Sequence, residues 1–144
     1  MWGRLLLATI LLCCALSGRG NHPHPSLTPG FRFAASLAAC GGALQNLEYV
    51  LGRNATGYCY VTGFGTKRVM HPHHRVSEAD GIVDPVPGLL AGGPNPGQQD
   101  LSSGLKYPSK QPDESFLDNM GSYASNEIAI NWNATLVALL GGLE

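Results

Sequence analysis

Residues 57–104 contain no helical spacing of apolar side chains and are interrupted repeatedly by glycine and proline. Within them, the stretch GYCYVTGFG beginning at Gly57 is predicted to be extended. The 144-residue chain carries 19 glycines and 10 prolines, so loops and turns must make up much of it. Because so long a connection is uncommon within a compact domain, the chain is predicted to be one end of something larger.

Two segments with helical spacing flank this loop. Apolar residues at three-, four- and seven-residue steps predict one amphipathic helix over Phe31–Leu51, which Gly52 would end. A second helix is predicted to begin near Ser125, with Ser125 or Asn126 as its cap, and to stop at Gly141. The sequence therefore predicts an all-α fold in which a long shaped loop joins two helices.

The first twenty residues have the pattern of a secretory signal peptide. The apolar run Leu5–Leu16 follows a basic residue and is shorter than the ~18 residues needed to span a bilayer. Ala15 and Ser17 offer a cleavage site. We expect residues 1–20 to be a signal peptide and residues 21–30 a proline-rich linker. The protein is then secreted to the extracellular space, without stable membrane insertion. A buried N-terminal helix is the alternative.

Cysteine and charge add two further expectations. Cys40 and Cys59 remain after signal removal, and an oxidising compartment would permit one bridge between them. The net charge is −1 and charged residues make up 13% of the chain. This balance provides no basic patch for nucleic acid, so no nucleic-acid partner is expected.

The densest group of chemically active side chains in the loop is HPHHR, from His71 to Arg75, here called the His box. Three imidazoles suggest a metal site. However, Pro72 breaks helical i, i+4 geometry, and no cysteine or acidic residue lies close enough in sequence to complete the ligand set. A hydrogen-bonding surface for a hydroxyl-rich ligand explains Arg75 better. A solvated loop is the remaining alternative.

Asp118 and Glu127 form a candidate pair of working carboxylates. Glycoside cleavage needs one protonated carboxyl group to donate to the leaving oxygen and one ionised group to activate water or attack carbon. Nearby aromatic side chains offer a face for a sugar ring and a dry wall for the donor; they are Phe116, Tyr123 and Trp132. In the first turn of the predicted helix, Glu127 would feel the positive end of the dipole, which opposes the donor role.

Two widely spaced motifs carry a family resemblance. The first joins Thr62–Gly65 to the Pro72–Arg75 box, with Lys67 at a basic position and Cys59 where the motif has Ser, Thr or Val. The second has the form aromatic-x-Asp-x4-aromatic-x3-Glu-x-small-x3-Asn-small, matched here by Phe116, Asp118, Tyr123, Glu127, Ala129, Asn133 and Ala134. Together they resemble the C-terminal region of glycoside hydrolase family 9, the inverting endo-β-1,4-glucanases or cellulases.

The resemblance implies a fold, a substrate and residue roles. The family folds as an (α/α)6 barrel, so residues 31–144 are expected to be its C-terminal portion, with long irregular active-site loops. Cellulose or another β-1,4-glucan is the expected partner, and no cofactor and no metal are expected. The implied roles are general acid for Glu127, an arranging carboxylate for Asp118, active-site histidine for His73, and sugar contacts for His74, Arg75 and Tyr123.

The family's catalytic base is an aspartate in an Asp-Ala-Gly-like motif near the N-terminal end of the barrel. The stretch Glu78-Ala79-Asp80-Gly81 follows the His box and matches a different part of the family. This chain is therefore expected to be a fragment without the base. One alternative is a non-catalytic secreted glucan-binding remnant. The other is a secreted metal-binding protein that uses His22, His24, His71, His73 and His74.

Overall fold

A computed structural model describes residues 29–142, with side-chain surroundings from residue 40 onward. Its regular elements are helices: α1 (Pro29–Val50), α2 (Arg75–Ala79), α3 (Tyr123–Asn126) and α4 (Ile130–Gly141). A single 3-10 turn spans Leu101–Ser103. None of the described helices is long and apolar enough to cross a membrane. The predicted signal peptide and most of the predicted linker lie outside the described residues.

Helix α1 confirms the first predicted helix and its termination at Gly52. The Gly52 amide donates to the Tyr49 carbonyl at 3.3 Å, and the Arg53 amide donates to the Glu48 carbonyl at 2.9 Å. This pair of bonds is the Schellman arrangement, which satisfies carbonyls that the helix end leaves without partners. It requires a left-handed residue, and Gly52 has φ +118°.

The prediction of one helix starting near Ser125 is wrong. The chain forms the short helix α3, becomes extended at Glu127 (φ −67°, ψ 146°), and starts α4 only at Ile130. The helix is interrupted because the backbones of Glu127 and Ile128 pair with other segments of the chain. Glu127 therefore does not occupy the first turn of a helix.

Backbone contacts divide the described chain into two units, residues 29–47 with 135–142, and residues 48–134. In the first unit, the Asn46 side chain donates to the Gly42 carbonyl at 2.8 Å within α1. The candidate site residues all belong to the second unit. The prediction that residues 57–104 have no regular structure is wrong in part, because they contain α2 and the 3-10 turn and lie within a compact unit.

Four isolated β-bridges organise residues 48–134. They pair Cys59 with Arg68, Val61 with Leu90, Ala91 with Ile128, and His73 with Glu127. The first two involve Cys59 and Val61, which belong to the stretch that is predicted to be extended. These bridges join four segments, residues 59–61, 68–73, 90–91 and 127–128, into a closed circuit. This closed circuit holds irregular backbone in place, because each segment's backbone groups find partners on another segment.

The core of this unit includes side chains from the bridged segments. Its most buried apolar side chains include Cys59, Tyr60, Val69 and Phe116. The rings of Tyr60 and Phe116 meet edge to face with centroids 5.0 Å apart, which adds a specific aromatic contact to the area that both bury.

Cys40 and Cys59 are both free thiols, the first exposed and the second buried. The disulfide that an oxidising compartment would permit is not formed in this structure.

Candidate active site

The Glu127 side chain is exposed, and within the described chain its carboxylate has no hydrogen-bond or ion-pair partner. Its backbone, by contrast, is fixed: the Glu127 carbonyl accepts a hydrogen bond from the Gly92 amide at 3.0 Å. A residue that exchanges a proton with a ligand needs a fixed backbone and a carboxyl group that no other protein group binds. Glu127 has both. The positive end of a helix dipole does not oppose the donor role of Glu127, because Glu127 follows α3 and does not lie in the first turn of α4.

His73 lies beside Glu127 through a parallel backbone bridge. The His73 amide donates to the Asn126 carbonyl at 2.8 Å. Its ring atom Nδ1 contacts the Met120 carbonyl. Because a carbonyl oxygen only accepts, Nδ1 must carry the proton, and in the neutral ring Nε2 keeps its lone pair.

His74 is held in the opposite tautomer. Its Nδ1 accepts from the Ser77 amide at 3.4 Å and lies 2.9 Å from the Ser77 hydroxyl, so it caps the N-terminus of α2. An accepting Nδ1 leaves the proton on Nε2, which can donate to a ligand. Arg75 is exposed at the first position of α2, and within the described residues its guanidinium has no hydrogen-bond or ion-pair partner.

Asp118 uses both carboxylate oxygens to hold the His box. Oδ2 accepts from the Met70 amide and Oδ1 from the His71 amide, each at 2.9 Å. The Asn126 amide group adds a contact to Oδ1 at 3.3 Å. These charge-assisted bonds fix the segment that leads into His73. The geometry suits an arranging carboxylate, as the family resemblance implies, better than a reacting one.

The three aromatic side chains expected around the carboxylates take different positions. Phe116 is 3% exposed and packs in the core against Tyr58 and Tyr60, so it offers no face to a sugar. Trp132 donates its indole proton to the Leu90 carbonyl at 2.8 Å. Tyr123 is 45% exposed, and its ring centroid lies 6.4 Å from that of His73. Tyr123 therefore presents an exposed aromatic ring beside His73.

The sequence predicts Asn126 only as a possible helix cap, whereas the structure places its side chain within the site. It is fully buried, and its amide nitrogen lies 2.5 Å from the His71 carbonyl and 3.4 Å from the Asn119 carbonyl. With its bond to Asp118, this one side chain joins the His box, the Asp118 segment and α3. The second motif leaves the position before Glu127 undefined, so the sequence carries no signal for this role of Asn126.

The Asn133 of the second motif also has a structural role. Its side-chain oxygen accepts from the Leu90 amide at 2.8 Å, and its nitrogen donates to the Ala129 carbonyl at 2.9 Å. It ties the start of α4 to the segment that bridges Ile128.

Asp118 also lines a cleft of about 510 Å³ whose lining includes neither His73 nor Glu127. The Lys67 ammonium lies 4.5 Å from the centroid of the Tyr58 ring at its wall and donates to the Thr56 carbonyl at 2.6 Å. The lining residues are Tyr58, Thr66, Lys67, Arg68, Met70, His71 and Asp118.

Residues 40–142 contain no group of three or more His, Cys, Asp or Glu side chains placed to hold a metal ion. The metal-binding alternative also invoked His22 and His24, which lie outside the described residues.

The sequence profile of Glycosyl hydrolase family 9 matches residues 8–140, a range that begins inside the predicted signal peptide. A xyloglucan-specific endo-β-1,4-glucanase of Bacteroides ovatus is 64% identical over 102 residues, which cover 71% of this chain and 17% of that protein. Endoglucanase D of Acetivibrio thermocellus is 44% identical over 100 residues, covering 69% of this chain and 14% of that one.

Solved structures show the same relationship. An endoglucanase from Alicyclobacillus acidocaldarius superposes with a TM-score of 0.69 at 40% identity, over 74% of this chain and 20% of that one. The family 9 endoglucanase J30 gives a TM-score of 0.66 at 30% identity, over 78% and 21%. The chain thus spans about a fifth or less of these relatives. With motifs, profile and structure in agreement, the chain belongs to glycosyl hydrolase family 9.

Proposed function

We propose that this chain is the C-terminal part of an (α/α)6-barrel catalytic domain that hydrolyses internal β-1,4-glucosidic bonds of cellulose or related β-glucans. The observation that carries the proposal is the backbone pairing of His73 with Glu127, which brings the two family motifs together beside an unoccupied carboxyl group. The relatives named above as endoglucanases support the substrate class.

In this proposal Glu127 is the general acid. It protonates the glycosidic oxygen as the bond to the anomeric carbon breaks, so that the leaving sugar departs with a hydroxyl group. The extended backbone at Glu127 fixes the point from which its side chain extends, and the exposed carboxyl group reaches the substrate.

The His box and Tyr123 bind the sugar next to the scissile bond. His73 offers an acceptor at Nε2, and His74 offers a donor at Nε2. Arg75 adds a guanidinium for sugar hydroxyls, and the exposed Tyr123 ring adds an apolar face. Together these groups recognise the alternating hydroxyls and C–H faces of a β-linked glucose chain.

A second carboxylate must activate water, and inversion needs it roughly 6.5–9.5 Å from the acid. Both oxygens of Asp118 already accept backbone hydrogen bonds. We therefore assign the base to a residue outside this chain, as the resemblance implies.

Residues 1–20 are proposed to direct secretion, and N-terminal sequencing of protein recovered from the medium tests this: a terminus at Met1 would contradict it.

Turnover is tested by grafting. The matching 102-residue segment of the Bacteroides ovatus enzyme is replaced by that of this chain, and hydrolysis of xyloglucan and of unsubstituted β-1,4-glucan is measured. Glu127→Gln should lower kcat by about 10²–10⁴-fold with an unchanged melting temperature. Glu114→Gln, at another exposed glutamate, is the matched control. Turnover that survives Glu127→Gln would refute the assignment.

A non-catalytic glucan-binding protein is the second candidate, and the bonded state of Asp118 favours it for the chain taken alone. The test is calorimetric titration of the 144-residue chain with a β-1,4-linked gluco-oligosaccharide, followed by product analysis. Binding that Tyr123→Ala weakens, with no shorter sugars formed, supports this reading. Shorter sugars formed by the purified chain would exclude it.

A further inference from the structure

Asp100 is a fully buried carboxylate outside both family motifs. Its Oδ2 accepts hydrogen bonds from the Ala124 amide at 3.0 Å and from the Tyr107 hydroxyl at 3.1 Å. Its Oδ1 is buried without a hydrogen-bond partner among the described residues. Burying a carboxylate that is not fully bonded is costly, so its placement needs a reason.

The Asp100 carboxylate is one end of a buried polar network. The Tyr107 hydroxyl also bonds to the Ser122 hydroxyl at 2.8 Å, and the Ser122 and Ser125 hydroxyls lie 2.9 Å apart. Ser125 in turn accepts from the Leu117 amide at 3.2 Å. The network therefore reaches the residue before Asp118 and the helix before Glu127.

The other end of α3 is held by a pair of glycines. The Gly93 amide donates to the Ser125 carbonyl at 2.9 Å, and the Gly92 amide donates to the Glu127 carbonyl. A Cβ at Gly92 would lie 3.4 Å from the Ser125 carbonyl oxygen, so the two backbones approach closely. With the Asp100 bond at its first turn, α3 is fixed at both ends and delivers Glu127 to one position.

We propose that Asp100 is a positioning residue that, by accepting hydrogen bonds from Ala124 and Tyr107, sets the orientation of α3 and thereby the position of Glu127. It does not touch the substrate and acts only through α3. The assignment of Glu127 as proton donor rests on the proposed function, whereas the positional role of Asp100 is a separate claim about the protein itself.

Amide hydrogen exchange in the 144-residue chain, read by NMR, tests the claim without any turnover. Asp100→Ala should accelerate exchange at Gly92 and Gly93 about tenfold more than at Val69, whose amide bonds to Cys59 away from α3. Asp100→Asn should restore most of the protection, because one amide oxygen can accept both bonds. Tyr107→Phe, which keeps the Ala124 bond, should give an intermediate effect.

Thr62→Val is the matched control. Thr62 is as buried as Asp100, but its hydroxyl bonds to the Val86 carbonyl and the Leu89 amide rather than to α3. It should accelerate exchange at Gly92 and Val69 to a similar degree. An equal acceleration at all amides in Asp100→Ala, or no recovery in Asp100→Asn, would overturn the proposal. Turnover that survives Glu127→Gln in the grafted enzyme would instead count against the proposed function alone.

Discussion

His73 and Glu127 are neighbours through their backbones, in a parallel bridge whose hydrogen bond runs from the His73 amide to the carbonyl of Asn126. The two residues come from separate motifs, and main-chain atoms rather than side chains bring them together. A substitution of either side chain therefore leaves the pairing in place. Variants of Glu127 are therefore clean probes of chemistry, whereas variants of His73 also remove the contact between its ring and the Met120 carbonyl.

Asp118→Asn is expected to destabilise the His box. The new NH₂ group must face the amide of either Met70 or His71, so one backbone donor loses its acceptor. Loss of such a bond costs about 1–3 kcal/mol in the free energy of unfolding. Urea denaturation of both proteins measures the difference.

Asp113→Asn is the control for that experiment. Asp113 is exposed, and its substitution should change the unfolding free energy by less than about 0.5 kcal/mol. An Asp118→Asn protein as stable as the parent would show that the carboxylate does not hold the Met70–His71 backbone.

The sequence names the candidate site residues because they lie in two compact motifs, and their roles stay predictions. Helix α1 was predictable because its apolar spacing and its terminal Gly52 are local signals. The break at Glu127 was not, since it depends on bridges to His73 and Ala91, which are distant in the chain. Local propensity favours one continuous helix there, and tertiary pairing overrides it.

The surroundings of the site were harder to foresee. Phe116 lies close in sequence to Asp118, as an aromatic ring that stacks on a sugar would. It packs in the core instead, because Tyr58 and Tyr60 contact it from a remote segment. The buried network of Asp100 and Tyr107 has no sequence signature for the same reason. Contacts of this kind depend on which segments meet, and a local pattern carries no information about that.

The two adjacent histidines should show opposite tautomers when both are neutral. His73 donates from Nδ1 to a carbonyl, whereas His74 accepts at Nδ1 from the Ser77 amide. Long-range ¹H–¹⁵N correlation spectra distinguish the protonated from the unprotonated ring nitrogen of each histidine. We expect the proton on Nδ1 of His73 and on Nε2 of His74.

Ser77→Ala provides the comparison. It removes the hydroxyl 2.9 Å from the His74 ring and so should shift the ring ¹⁵N signals of His74. The signals of His73 should stay where they are. Identical tautomers in the parent protein would contradict the hydrogen-bond assignment.

Cys40 and Cys59 should differ strongly in reactivity. Cys40 is exposed, while Cys59 is 2% exposed and its thiol contacts the Val61 carbonyl at 3.4 Å. Burial also raises the pKa of Cys59, which lowers its thiolate fraction. Iodoacetamide followed by peptide mass spectrometry should label Cys40 quickly and Cys59 only in urea. A disulfide-linked peptide containing both would contradict the free thiols.

Alkaline pH should destabilise the protein through its buried phenols. Burial raises the pKa of four tyrosines above the ordinary value of 10.0, namely Tyr49, Tyr58, Tyr60 and Tyr107. Above that value the unfolded chain has released phenol protons that the folded chain still holds. The free energy of unfolding must then fall as pH rises.

The stabilisation is fully present below about pH 10 and is lost as pH rises through the folded-state pKa values. Urea midpoints measured from pH 8 to 11 should therefore be level at first and then decline. Tyr60→Phe removes the phenol whose pKa burial raises far above its ordinary value, so its decline should be shallower than that of the parent. Because this change also removes a hydroxyl bond to Thr56 at 2.7 Å, the slopes rather than the absolute stabilities must be compared. A level profile to pH 11 in the parent would show that these phenols titrate alike in the folded and unfolded states, and equal slopes in the two proteins would show this for Tyr60.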